Sequence, residues 1–166
     1  MNIALSTDHA GFEQVKRLSE LLRSLGHQVT SFAPATLDPT DDFPDFIRPA
    51  AEAVASGRCD RGIIFGGSGQ GEAMVANRVQ NVRCAVFYGP EVALGPIDAE
   101  GNEAEDGYEI LRLSREHNDA NMLSLGARFL AWPDVEKSIQ IWLETPFSGA
   151  ERHQRRIAKI DKVAAV

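Results

Sequence analysis

Apolar positions along the chain fall into two alternating patterns. Short apolar runs predict strands at Asn2–Ser6, His27–Phe32, Ile63–Phe65, Val82–Phe87 and Asn121–Leu125. Amphipathic spacing between and after them predicts helices at Phe12–Leu25, ending at Gly26, and from Pro44 to about Ser56. Further helices are predicted at Ala73–Asn77, at Tyr108–His117 and at Asp134–Leu143 after Pro133. A basic amphipathic stretch, Arg152–Ile160, predicts a C-terminal helical tail over about 151–164. Strand, helix and strand without a hairpin signal imply parallel pairing with right-handed crossovers. The expected fold is α/β: a Rossmann-like, open, doubly wound sandwich on a five-stranded parallel sheet, in a single domain of residues 1–166. In such sheets a ligand sits beyond the C-terminal ends of the strands. Asp8, His9, the glycines after Phe65, the stretch 88–106 and Arg128 all fall at those ends.

The most informative stretch is Gly62-Ile63-Ile64-Phe65-Gly66-Gly67-Ser68-Gly69-Gln70-Gly71-Glu72. A buried strand, a glycine turn and a helix present backbone N–H groups to an anion. Glu72 is unexpected there, because its carboxylate would repel a cradled phosphate. A proton-abstracting base beside N–H groups that await an oxyanion would suit the place. The glycines alone are as consistent with a tight turn, in which Glu72 is a first-turn acid worth about 0.3–1 kcal/mol. Asp8-His9 could equally cap the first helix. His117-Asn118-Asp119 could be a polar helix end. Arg152 and Arg156 share one helix face at i, i+4, where they could grip a phosphate or form a solvated basic face with Arg155.

Charge and composition narrow the classes. A net charge of −7 argues against a general nucleic-acid surface. There is no signal-peptide pattern, and no apolar run is long enough to span a bilayer. The cysteines, Cys59 and Cys84, make no CxxC, and with the scattered histidines they form no zinc pattern. The expectation is a cytoplasmic, reduced protein without metal or cofactor, and without nucleic acid or membrane as partner. Tyr88–Asp106 carries Gly89-Pro90, Gly95-Pro96 and an acidic run from Asp98. A loop of this length is a lid, a binding loop or a disordered insertion. Its acids are expected to be solvated.

Together, a carboxylate base, an oxyanion turn, a histidine and several arginines are the equipment for moving a proton α to a carbonyl in a phosphorylated substrate. The chain also resembles a known family. The motifs are Asp8-His9-Ala10-Gly11, Asp42-Phe43-Pro44-Asp45, the glycine turn through Glu72, Ala76-Asn77, Arg115-Glu116-His117-Asn118-Asp119-Ala120-Asn121, Leu125-Gly126-Ala127-Arg128 and Arg152-His153-Gln154-Arg155-Arg156. In this order they resemble the ribose-5-phosphate isomerase type B family, which includes galactose-6-phosphate isomerase subunits. The resemblance implies metal-independent aldose–ketose isomerisation of D-ribose 5-phosphate to D-ribulose 5-phosphate through a cis-enediolate. It implies a homodimer, or a tetramer, with active sites at the subunit interface.

Many members of that family place a cysteine base just after the central strand, where this chain has Gly66. The chain resembles instead the branch whose base is a glutamate, and Glu72 matches it. Carried over, Ser68 would move the hydroxyl proton, and the N–H groups of Gly67, Gly69 and Gly71 would hold the enediolate. His117 with Asp8 would open the furanose ring, and Asn118 would bind a sugar hydroxyl. Arg128, Arg152 and Arg156, with His9 or His153, would hold the phosphate. Two departures are a phenylalanine, Phe43, where the family has a tyrosine, and the inserted loop of about 88–106. Either could favour a six-carbon substrate such as allose or galactose 6-phosphate. A non-catalytic sugar-phosphate-binding protein is the alternative outside the class.

Overall fold

A computed structural model describes residues 1–162 of the chain. Its internal contacts fall into two compact units, Met1–Phe87 with Ala120–Phe129, and Tyr88–Asp119 with Leu130–Val166.

The first unit contains the whole sheet. The strands β1 (Asn2–Ser6), β2 (Gln28–Ser31), β3 (Arg61–Gly66), β4 (Cys84–Phe87) and β5 (Met122–Gly126) are all parallel, in the order β2-β1-β3-β5-β4. Three helices accompany them: α1 (Phe12–Ser24), α2 (Phe43–Ala55) and α3 (Gln70–Ala76). Strand residues alternate between the two faces. Ala4, Ile64 and Met122 form one buried cluster with Ile47, Ala50, Ala51 and Val54 of α2 and Ala76 of α3. Ile3, Leu5, Ile63 and Phe65 therefore point to the other face. Gly11, just before α1, lies so close to β3 that a Cβ there would overlap the Phe65 Cβ. Val15, Leu18 and Leu22 are the buried stripe of α1. Burial of each such aliphatic side chain contributes roughly 1.5–3 kcal/mol. Helix α1 stops where expected: Gly26 takes φ 81°, and the N–H groups of Gly26 and His27 return to the carbonyls of Arg23 and Leu22.

The strand order reverses beside β1, with β2 on one side and β3 on the other. The C-terminal ends of β1 and β3 thus flank a topological switch point, the place where sheets of this kind bind ligands. Asp8 follows β1, and the glycine turn follows β3.

The second unit carries α4 (Glu109–Glu116), α5 (Trp132–Glu144) and α6 (Glu151–Ile160). The predicted tail to about 164 ends at Ile160 as helix, and residues 163–164 lie outside the described residues. Arg115 of α4 is buried against the Trp142 ring of α5, and its Nε donates to the Thr145 carbonyl at 3.3 Å. Residues 88–106 contain neither helix nor strand. Their acids are not simply solvated, however. Asp98 Oδ1 accepts the N–H groups of Glu100 and Asn102, Glu100 pairs with Arg152, and Asp106 makes a two-pronged bond to Arg112. The Arg112 guanidinium pulls the Asp106 carboxyl down to about 2. Sequence spacing could not reveal the Glu100 and Asp106 partners, because Arg152 and Arg112 lie on helices α6 and α4. No helix among the described residues is long and apolar enough to cross a membrane.

Candidate active site

The site in the first unit is built on the turn after β3. Gly69 starts α3 in the left-handed region, φ 78°. A side chain there would also press on Ser124 and on the Leu125 carbonyl. Ser124, fully buried in β5, donates to the Gly69 carbonyl at 2.7 Å and pins the turn to the sheet. The N–H groups of Ala127 and Arg128 bond the carbonyls of Gly66 and Gly67, so the segment after β5 straps the same turn. Ser68 Oγ accepts the Gln70 N–H at 3.3 Å.

Glu72 folds back over the end of β3. A Cβ on Gly66 would clash with the Glu72 carboxyl, with its carbon and with both of its oxygens. The carboxylate therefore occupies the volume that a side chain at position 66 would take. Glu72 is 5% exposed. Burial raises its pKa, its own backbone N–H opposes this, the Asp8 charge adds to the rise and His9 lowers it. The competition between burial and the helix start is thus decided for burial. Phe43 packs its ring against Gly71, where a Cβ would come within 2.9 Å of Cζ.

Asp8 and His9 follow β1. Asp8 Oδ1 accepts the Ala10 N–H at 2.9 Å and caps the short 3-10 turn at His9–Gly11. His9 Nδ1 lies 2.6 Å from Asp41 Oδ1. That bond is the main cause that raises the His9 pKa, against partial burial. The exposed Arg128 guanidinium overlies Gly67, within 3.4 Å of where its Cβ would be. Asp8, His9, Ser68, Glu72 and Arg128 are thereby gathered at the ends of β1, β3 and β5.

The remaining expected residues lie in the second unit. His117 caps the C-terminus of α4, followed by the exposed Asn118 and by Asp119 at φ 44°. Asp119 is held by Arg115, whose Nη1 donates to it at 2.8 Å. The His117 and His153 rings face each other at 4.2 Å. His153 is the buried one of the residues expected around the phosphate. It is 2% exposed, its Nε2 accepts from Arg152 Nε at 3.2 Å, and its Nδ1 therefore donates to Ser148 Oγ at 2.7 Å. Burial first, then His117, Arg152 and Arg156, hold its pKa below the ordinary value. Arg152 reaches Glu100, and Arg156 is exposed.

Comparison with known proteins gives the family. Residues 3–97 and 106–160 match the model of the ribose/galactose isomerase family. The chain belongs to that family. It is similar to ribose-5-phosphate isomerase B of Mycobacterium leprae, 34% identical over 95% of this chain and 86% of the relative. Among solved structures, ribose-5-phosphate isomerase B of Clostridium thermocellum superposes with a TM-score of 0.82 at 34% identity, covering 97% of this chain and 95% of that one. The Mycoplasma genitalium ribose-5-phosphate isomerase B, solved with bound ribulose 5-phosphate, gives 0.82 at 32% identity, covering 96% and 93%. The family match leaves residues 98–105 unmatched, a shorter stretch than the expected insertion of about 88–106. Those eight positions include Asp98 and Glu100. Asp41, Ser124 and Ser148 also hold the geometry described above. The first of the paired acids in Asp41-Asp42-Phe43-Pro44 was the one available signal in the sequence; the two serines carry none.

Proposed function

We propose that this protein interconverts D-ribose 5-phosphate and D-ribulose 5-phosphate by proton transfer through a cis-enediolate, with Glu72 as the base. Arg128, Arg152 and Arg156, joined by His9, hold the substrate phosphate through charge-assisted bonds. His117 and Asp8 open the furanose ring, and Asn118 binds a sugar hydroxyl. Glu72 removes the proton from C2 and delivers it to C1. The N–H groups of Gly67, Gly69 and Gly71 carry the negative oxygen of the enediolate, and Ser68 passes the hydroxyl proton between O1 and O2. Arg152 and His117 belong to a homodimer in this reading, with active sites at the subunit interface. Met74 and Phe129, exposed apolar side chains near Glu72 and Arg128 in sequence, are what such an interface would cover. The proposed compartment is the cytoplasm, in keeping with two free cysteines.

The observation that carries this reading is the Glu72 carboxylate lying on Gly66. A buried carboxylate of raised pKa is a stronger base than one in water. Its position within a glycine turn puts oxyanion donors beside it. The test is to incubate the purified protein with ribose 5-phosphate and follow product by NMR. Ribulose 5-phosphate is expected. Turnover of allose or galactose 6-phosphate in its place would move the assignment to six-carbon sugars. Phosphate-sugar binding without turnover of any of them would make the protein a binder.

A further inference from the structure

Asp41 lies in the loop between β2 and α2, outside the residues given a role above. Asp38 shapes that loop. Its Oδ1 accepts the Thr40 N–H at 2.9 Å and the Thr40 hydroxyl at 2.7 Å, and its carbonyl accepts the Asp41 N–H at 3.2 Å. The Asp41 carboxylate is thereby delivered to His9. Oδ1 meets His9 Nδ1 at 2.6 Å and accepts the His9 N–H at 3.2 Å. The Asp41 side chain is 7% exposed, and Oδ2 has no hydrogen-bond partner among the described residues. A buried carboxylate with one oxygen unmatched is costly unless a charge compensates it. The group placed to do so is the His9 ring.

We propose that Asp41 is a positioning residue for substrate binding: it fixes the His9 ring through Nδ1, so that Nε2–H is presented to the substrate phosphate. The proposal rests on the assignment of His9 to the phosphate made above. Asp41 acts through His9 and does not itself touch substrate. With Nδ1 engaged by a carboxylate, Nε2 is a donor only when the ring is cationic, and the surroundings favour that state. Asp41, at 2.6 Å, and Asp8, at 3.7 Å, stabilise the imidazolium, as do Asp38 and Glu72 from further away; Arg128 and partial burial oppose it. The balance lies above the ordinary histidine value. Asparagine at position 41 keeps the shape but removes the charge. His9 would then lose its proton at lower pH, and only the protonated fraction binds an anion.

The test is a double-mutant cycle of D41N and H9N, with inorganic phosphate as the probe in calorimetry, beside an NMR titration of the His9 ring. In the H9H background, D41N is expected to lower the His9 pKa and to weaken phosphate binding at pH 7.5 by roughly tenfold. In the H9N background the same substitution is expected to change nothing. The conservative D41E is expected to restore part of the affinity and of the titration. An unchanged His9 pKa in D41N, or a D41N penalty that persists beside H9N, would overturn the proposal, the second by showing a merely structural role. An H9N variant that binds phosphate normally removes both residues from the site. Absence of isomerase activity from a protein that still shows the cycle would overturn the proposed reaction and leave the pair standing.

Discussion

Glu100 grips the guanidinium of Arg152 with two hydrogen bonds, 2.9 and 3.3 Å, across 52 residues of chain. Glu100 comes from the stretch that the family match leaves out, and Arg152 from the tail proposed to hold phosphate. A carboxylate thus stands on a group that the proposed reaction assigns to the incoming phosphate. The pair is exposed, 40% for Arg152 and 57% for Glu100, so the competition is weak. Glu100→Gln is expected to lower KM for the phosphorylated sugar about two- to fivefold, with kcat little changed. The difference should shrink as salt is added. Steady-state kinetics at low and high ionic strength check this, and an unchanged KM at low salt would mean that Arg152 is not contested.

Removing Arg152 has the opposite sign. Arg152→Ala is expected to raise KM strongly and kcat little, because the proposed charge-assisted contact to the phosphate would be made in ground and transition states alike. It also strips His153 Nε2 of its donor, so a circular dichroism melt should accompany the kinetics. A normal KM in a folded variant would take Arg152 out of the site.

Gly66 is where a single methyl group tests the geometry. Its Cβ would fall on the Glu72 carboxyl, so Gly66→Ala must displace the proposed base. A loss of kcat of at least tenfold is expected, with a smaller change in KM. Full activity in this variant would show that Glu72 need not lie over the end of β3.

The raised pKa of Glu72 carries a linked prediction for stability. Burial is its first cause. The folded state keeps the proton to higher pH than the unfolded chain, so it binds more protons in the window just above the ordinary carboxylate range. There, stability falls as pH rises. Glu72→Gln removes that slope. The variant is expected to melt higher than the wild type at pH 8 and to differ less at pH 4, where both side chains are neutral. A Glu72→Gln variant that melts lower at pH 8 would contradict a buried, strained carboxylate. The same burial logic applies to one thiol: burial raises the Cys84 pKa, so it is no ready nucleophile.

Much of this was legible in the sequence, for identifiable reasons. Strands β1, β3 and β5 are apolar runs buried on both faces, and their positions follow from composition alone. Helix α3 starts at Gln70, earlier than the apolar pattern implies. Glycines 69 and 71 hide a first turn that begins at a left-handed residue. Strand β4 starts at Cys84, later than Val82. The backbone of Arg83 is occupied by Asn121, which accepts its N–H and donates to its carbonyl. His153 sits among arginines in the sequence, and nothing there reveals that it is buried. Its burial depends on Ser148 and His117, which come from other segments. Asp41 and Glu100 escaped for the same reason: a carboxylate shows its partner only once the chain is folded.

The most direct test of the central claim is hydrogen exchange at C2 of ribose 5-phosphate in deuterated water, with the wild type beside Glu72→Gln. The account predicts deuterium in the sugar with the wild type. It predicts exchange slowed by about 10²–10⁴-fold in the variant, which should still bind the phosphate sugar. Exchange that survives the loss of Glu72, or a binding loss as large as the rate loss, would contradict Glu72 as the base.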